Sequence, residues 1–246
     1  MLKRLYKIDA EWRFGDYFQW QTDLKPYMRV MLVNWAMEVC ADFRYQRQTF
    51  HMCIAYIDMF LTKANNLVQK THYQTVGVCA LMIASKMEEI YCTSVQQFSQ
   101  ITGYSPSEEQ IAEMEREMFK VLGYKLTPVT LQTWTEIFTR RWDVFATQNQ
   151  LHQFTEAGDA SLRLFTSNSY YRLRLIYQIV DAIALDFDSK ALNQFDMVAC
   201  VIYLVMGGRL GMQVFPTDEE IAAFSKSQLT LRQSFPQLDM QIAYYD

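Results

Sequence analysis

A chain of 246 residues, half of them apolar, is long enough for one large domain or two ordinary ones with a sizeable buried core, which excludes a disordered chain. Eight Gly and five Pro supply too little turn chemistry for a many-stranded barrel or sandwich, whereas 14 Met with 16 Phe, 15 Tyr and 5 Trp suit wide helical faces; the expected class is all-α. The formal charge of -4 lacks the positive field that phosphate backbones recruit, so nucleic acid is not an expected partner.

The five cysteines, Cys40, Cys53, Cys79, Cys92 and Cys200, are odd in number and form no CxxC, and most lie in apolar runs. They read as free core thiols of a reducing compartment. The longest apolar stretch, Met197 to Gly208, falls short of the ~20 residues of a spanning helix, and residues 1–20 carry charges where a signal peptide would be apolar. A soluble intracellular chain, nuclear or cytoplasmic, is expected, with no membrane partner.

In chain order, residues 8–21 (IDAEWRFGDYFQWQ) are predicted as a short aromatic helix outside the main body. Pro26 suits the first turn of a helix running to about Asp42, and a second helix spans about Gln46 to Lys63. Thr71 and Gln74 have capping-box spacing and open a third, to about Met87; a short fourth covers Ser94 to Ile101. Ser105-Pro106-Ser107-Glu108 reads as another capping box, with Pro at the first helical position of a helix ending near Gly123.

Thr127-Pro128 interrupts the pattern, because the residue before Pro is pushed out of the α region. Helices are predicted again over Val129 to Trp142, Tyr170 to Phe187, Phe195 to Met206, Asp218 to Lys226 and Leu229 to Tyr245, around a polar segment at 146–169. The two apolar stretches VGVCALMIASKM and DMVACVIYLVMG point to one unit used twice, each with a central helix wrapped by neighbours. The expected organisation is an N-terminal extension (1–23), a first domain (24–126) and a second (127–246).

Several charges stand where apolar residues belong. At 100° per residue the first helix after Pro26 has two apolar faces, one of Val30, Val33, Ala36, Met37 and Cys40, the other of Met28, Met31, Leu32 and Trp35 with Glu38 and Asp42 beside them. The second face is either buried in a fully enclosed helix or an exposed groove for a peptide. Arg29 points to the core side, where an unpaired charge is very costly, and Asp58 is the only acid within MCIAYIDMFL; a buried Arg29–Asp58 pair is expected. Glu115 points into the stripe of Ile111, Met114, Met118, Val121 and Leu122, and Lys86 is stranded at the end of an apolar helix. Those two charges form either a second internal salt bridge or a pair that caps the backbone of something docking there.

Catalytic readings find no support. GxGxxG, GxxxxGK[ST] and GxSxG are all missing, and His51, His72 and His152 lie far apart with no acid three residues before any of them. Glu88, Glu89 and Glu115 form the sort of acid triple that any helical protein offers. No metal and no cofactor is expected.

The residues singled out are also those through which the chain resembles the cyclins, the regulatory subunits of cyclin-dependent kinases, and the E-type and A-type members most. The resemblance runs through KPYMRVMLVNWAMEVC, TFHMCIAYIDMFL, ASKMEEIYCTSVQQFSQIT and MEREMFKVLGYKLTPVTLQTW, and more weakly through LIYQIVDAIALDFDSKALNQFDMVACVIYL. It implies two five-helix cyclin boxes and a non-catalytic, activating role in cell-cycle control, as in cellular or compact viral cyclins. By the same likeness Lys86 and Glu115 match residues that hydrogen-bond kinase backbone, while Met87, Ile90, Tyr91, Phe119, Tyr124 and Leu126 match residues that pack on the kinase's movable helix. Arg29 and Asp58 match a structural pair. Met28, Met31, Leu32, Trp35 and Gln74, with Glu38 and Asp42 for the cation, match a patch that docks Arg-x-Leu motifs of substrates and inhibitors. Thr75 and Gly103 depart from the family, which has Leu and, in A-type members, an acid at those positions. The alternative within the same fold class is a TFIIB-like transcription scaffold, whose basic surface the negative charge disfavours.

Overall fold

The structure, a computed structural model, describes residues 2–64, 66–148 and 170–205. Among these the chain is helical throughout, without strands: α1 (Leu2–Glu11), α2 (Pro26–Asp42), α3 (Arg47–Lys63), α4 (Lys70–Glu88), α5 (Val95–Ile101), α6 (Glu108–Val121), α7 (Leu131–Gln148), α8 (Tyr170–Leu185) and α9 (Gln194–Val205). No helix among the described residues is long and apolar enough to cross a membrane. The helices predicted over 218–226 and 229–245 lie outside the described residues.

Two compact units divide the chain. The first comprises residues 1–130 with 184–191, and the second residues 131–183 with 192–246. Residues 184–191 therefore leave the second half, to which the sequence reading assigns them.

In the first unit α4 is the central helix. Every residue from Thr75 to Ser85 is buried, because this stretch is apolar or small on all sides and meets α2, α3, α5 and α6. Gly77 lets α2 approach closely: a Cβ built there would lie 2.4 Å from Leu32 Cδ1. Three helices end in the same way. At the ends of α2, α5 and α6 the chain turns through left-handed residues, Arg44, Gly103 with Tyr104, and Gly123 with Tyr124. Backbone N–H groups then reach back five residues, from Tyr45 to Cys40 O (2.8 Å), Tyr104 to Ser99 O (2.7 Å) and Tyr124 to Phe119 O (3.0 Å), satisfying carbonyls that the helix leaves orphaned.

Local differences from the sequence reading have identifiable causes. The aromatic segment is not a helix over 8–21: α1 ends at Glu11 and a 3-10 turn covers Tyr17–Gln19, started by Asp16, whose Oδ1 accepts the Phe18 N–H at 3.0 Å. Thr71 caps nothing. Entry to α4 is set from a distance by Gln21, a buried side chain whose Oε1 accepts the Val68 N–H at 2.8 Å, so the helix begins at Lys70 behind an uncapped Gln69. The capping box of α6 is Ser107 with Gln110, two residues later than expected, because Pro106 is held back toward α5 by its carbonyl accepting from Ser99 Oγ (2.9 Å). Ser94 with Gln97 forms a complete box at α5.

In the second unit α7 packs on α9 through an aromatic cluster in which Trp134 and Phe138 meet Phe195 edge-on, at 5.1 and 4.9 Å between ring centroids. α7 runs on to Gln148, beyond the expected end at Trp142. α8 stops at Leu185, short of Phe187, where Asp186 Oδ2 takes the Ser189 N–H at 2.8 Å and turns the chain.

Candidate functional site: two faces of the first unit

The buried pair comes first, because it fixes the elements that carry both faces. Arg29 Nε and Nη2 donate to Asp58 Oδ1 and Oδ2, each at 2.8 Å, and both side chains are fully buried. Two of the three remaining guanidinium N–H groups reach Leu185 O (2.9 Å) and Ala184 O (3.2 Å), and Tyr17 Oη donates to Asp58 Oδ1 at 2.9 Å. Burial alone lowers an arginine's pKa, yet Asp58 and the neighbouring tyrosines outweigh it and hold the Arg29 pKa above its ordinary value. Burial, then Asp58, raises the Tyr17 phenol, which therefore stays a neutral donor. α2, α3, the segment after α1 and residues 184–191 are thus tied to one ion pair.

The first face lies where α4 ends. Lys86, in the last turn of α4, meets Glu115 of α6 at 2.7 Å, with side chains 37% and 19% exposed. Both charges therefore remain within reach of a partner's backbone. Around them Met87, Ile90, Tyr91 and Tyr124 are exposed, Ile90 to 88% and Tyr91 to 90%. Phe119 and Leu126 are half-buried. Tyr124 is turned over Phe119 by the left-handed exit from α6, and the two rings stack within 5° at 6.2 Å between centroids. Tyr56 Oη donates to Leu126 O at 2.6 Å and fixes the strand of chain that follows.

Side chains that the sequence reading did not assign hold this face in place. Glu89 leaves α4 and accepts the Gln46 N–H at 2.8 Å as well as the Thr49 hydroxyl, anchoring one end of the Ile90–Tyr91 loop at the start of α3. The buried Thr93 bonds the Tyr45 hydroxyl at the other end. The only sequence signal was the acidic pair Glu88-Glu89 following an apolar helix. Glu89 caps α3 and Glu115 is bound to Lys86, so two members of the acid triple Glu88, Glu89 and Glu115 have structural partners.

The second face belongs to α2, and here the structure corrects the two-faced reading. The buried residues Met28, Arg29, Leu32, Val33, Ala36, Val39 and Cys40 fall within one arc of about 140° that includes members of both expected faces. Met28 and Leu32, at 9% and 7% exposed, belong to the core, because Leu32 seats on Gly77. Val30, expected in the core, lies at the surface. What remains outside is Met31, 66% exposed, with half-buried Trp35, and with Glu38, Asp42 and, on α4, Gln74 exposed; Thr75 is buried.

Against known proteins, residues 6–127 match the family model described as cyclin, N-terminal domain. The chain is 28% identical over 187 residues to the G1/S-specific cyclin-E of Hemicentrotus pulcherrimus, covering 76% of this chain and 42% of that protein. It is 37% identical over 122 residues to the G1/S-specific cyclin-E1 of Gallus gallus, covering 50% and 30%. The chain thus spans less than half the length of these curated relatives. Among solved structures, a viral cyclin from herpesvirus saimiri superposes with a TM-score of 0.62 at 12% identity, over 91% of this chain and 94% of that one, a likeness of fold.

Proposed function

We propose, from the membership in the cyclin family that residues 6–127 establish, that this chain is a regulatory subunit that binds and activates a cyclin-dependent kinase. The observation that carries this reading is the first face: an exposed apolar surface of Met87, Ile90, Tyr91 and Tyr124 set around the Lys86–Glu115 pair on a pinned loop. Large apolar side chains held out in water mark a protein interface, and a partly exposed ion pair at its centre supplies charge-assisted bonds to orphan backbone groups of a partner. The chain performs no chemistry itself. By contacting the active arrangement of the kinase's movable helix and loop better than the inactive one, it shifts the kinase population toward the active state.

The α2 face serves substrate choice in this reading. Met31 and Trp35 with Gln74 take the apolar side chain of an Arg-x-Leu motif, and Glu38 and Asp42 take its cation. Compared with the sequence expectation fewer side chains are available to the motif, since Met28 and Leu32 are buried. The test is to mix the purified chain with a panel of cyclin-dependent kinases and measure both retention and histone phosphorylation. Activation of at least one kinase is expected; no retention of any panel member would overturn the reading.

A further inference from the structure

A third feature of the first unit belongs to neither face. The end of α3, the loop to α4, the start of α4 and the outer side of α6 enclose a cavity of about 340 Å³, within the range of pockets that take a ligand's side chains. Its apolar lining includes Phe60, Leu67, Val68 and Met114, and Leu67 is 56% exposed. On the opposite wall stand Glu113 and Glu117, one helical turn apart on α6 and both exposed. His72 is the only basic residue in the lining, and neither glutamate makes an ion pair with a described residue. Like charges spaced four apart on a helix repel, and a cation placed between them relieves that repulsion.

The loop wall is built rather than loose. Besides accepting from Val68, buried Gln21 donates through Nε2 to Leu61 O (3.3 Å) and Asn66 O (3.4 Å), so one side chain pins the backbone on both sides of Leu67. An apolar residue is thereby presented to the cavity at no further ordering cost when something binds.

We propose that this cavity docks a segment of a partner protein in which a Lys or Arg lies directly beside a bulky apolar side chain. The apolar side chain fills the space between Phe60, Leu67 and Met114, and the cation sits between Glu113 and Glu117. The proposal is independent of kinase binding, since none of Phe60, Leu67, Met114, Glu113 and Glu117 belongs to either face described above.

Fluorescence polarisation on the full chain tests it. The probe is a labelled pool of decapeptides carrying one Arg or Lys next to Leu, Ile or Phe in a Gly/Ser background, and the control pool has Glu in place of the cation. Saturable binding of the basic pool is expected, weaker by about tenfold or more for the acidic pool and weakening as salt is raised. Glu113→Lys with Glu117→Lys, or Leu67→Glu, should reduce it by about tenfold, and Glu113→Gln with Glu117→Gln by less, while Trp35→Ala leaves it unchanged. These positions are exposed, and circular dichroism is the check that the variants fold. The proposal fails if no saturable binding occurs with Kd below about 1 mM, if the cavity variants bind as the parent does, or if Trp35→Ala abolishes binding.

Discussion

The Arg29 guanidinium and the Asp58 carboxylate form a two-bond fork at 2.8 Å and 2.8 Å in the centre of the first unit, out of contact with water. Taking two charges out of water is expensive, so such a pair is sustained only when every donor and acceptor is occupied. Here two further guanidinium N–H groups go to the Leu185 and Ala184 carbonyls, and Asp58 accepts again from Tyr17, so the pair is bonded on both sides. The pair organises the fold and has no access to a substrate.

Asp58→Ala should therefore destabilise the chain by about 3 to 5 kcal/mol, because Arg29 keeps its two carbonyls but loses the only opposite charge described beside it. Tyr17 loses its acceptor in the same step. Urea unfolding followed by circular dichroism measures the change, and a midpoint equal to that of the parent would contradict the burial of the pair. Asp58→Asn should fall between, since the amide still offers one acceptor but no charge.

Gly77 is tested through its neighbour. Alanine at this helical position gains about 1 kcal/mol of intrinsic propensity, but its Cβ would enter the head group of buried Leu32, and overpacking costs about 1 to 3 kcal/mol. Packing wins, and Gly77→Ala should be destabilising. Leu32→Ala alone should cost about 2 to 5 kcal/mol through the cavity it leaves. Combined, the two should be less damaging than their sum, because the added methyl enters the vacated space. Simple additivity in a double-mutant cycle would mean that the two helices do not meet at this point.

The sequence made some features legible and hid others for physical reasons. The Arg29–Asp58 and Lys86–Glu115 contacts were both anticipated because opposite charges stood at positions whose helical periodicity called for apolar side chains. The helices from Pro26 to Ile101 were placed to within a residue or so by Pro, the cap residues and the apolar period. The buried side of α2 was misjudged because its true centre, between Arg29 and Ala36, was split between two apparent faces, and only the glycine on α4 decides where Leu32 goes. The anchoring roles of Gln21, Glu89 and Thr93 are not legible in the sequence. Each acts on backbone or hydroxyl groups distant in sequence, and no spacing rule reports such a bond.

The cysteines differ sharply in accessibility. Cys40, Cys53, Cys79 and Cys200 are buried and Cys92 is exposed. Burial, followed by nearby carboxylates, pushes the Cys40 and Cys200 thiols from an ordinary 9.0 up to about 12. One thiol should react quickly with Ellman's reagent at neutral pH and five in urea; a second fast thiol would contradict the burial of the other four. The folded chain holds these protons more tightly than the unfolded chain. Stability is thus unaffected by the thiols below the ordinary pKa and falls as pH rises from about 9 toward 12, where only the unfolded state has lost them. The urea midpoint should drop between pH 8 and 10, and Cys40→Ser should not be used as a neutral control, because it buries a hydroxyl.

On the first face, replacing Lys86 or Glu115 with Ala should leave stability within about 1 kcal/mol, since a partly exposed pair contributes little. Kinase retention should nevertheless fall by about tenfold or more for each, through loss of charge-assisted bonds at an interface that dries on association. Tyr91→Ala should weaken binding similarly without moving the melting temperature, because the ring is almost wholly in water in the free chain. Affinity unchanged in the Lys86→Ala, Glu115→Ala double variant would remove the assignment of this face.

On the second face, the half-buried position of Trp35 sharpens what its replacement should do. Part of the ring rests on the unit, so Trp35→Ala should cost about 1 to 2 kcal/mol of stability rather than the 3 to 5 kcal/mol, roughly, of a fully buried tryptophan. In the proposed function its exposed part anchors an Arg-x-Leu peptide, and binding of that peptide should then weaken by about 2 kcal/mol or more. Met31→Ser removes the most exposed apolar residue of the groove and should weaken the peptide with no loss of stability, which separates docking from folding. Glu38→Lys should repel the motif's arginine, with an effect that shrinks as salt is raised. None of these residues touches the Lys86–Glu115 face. With a kinase bound, phosphorylation of a short substrate without the motif should therefore continue at the parental rate, while that of a long substrate bearing it falls. An equal fall for both substrates would assign Trp35 to the kinase interface, and an unfolded Trp35→Ala would assign it to the core.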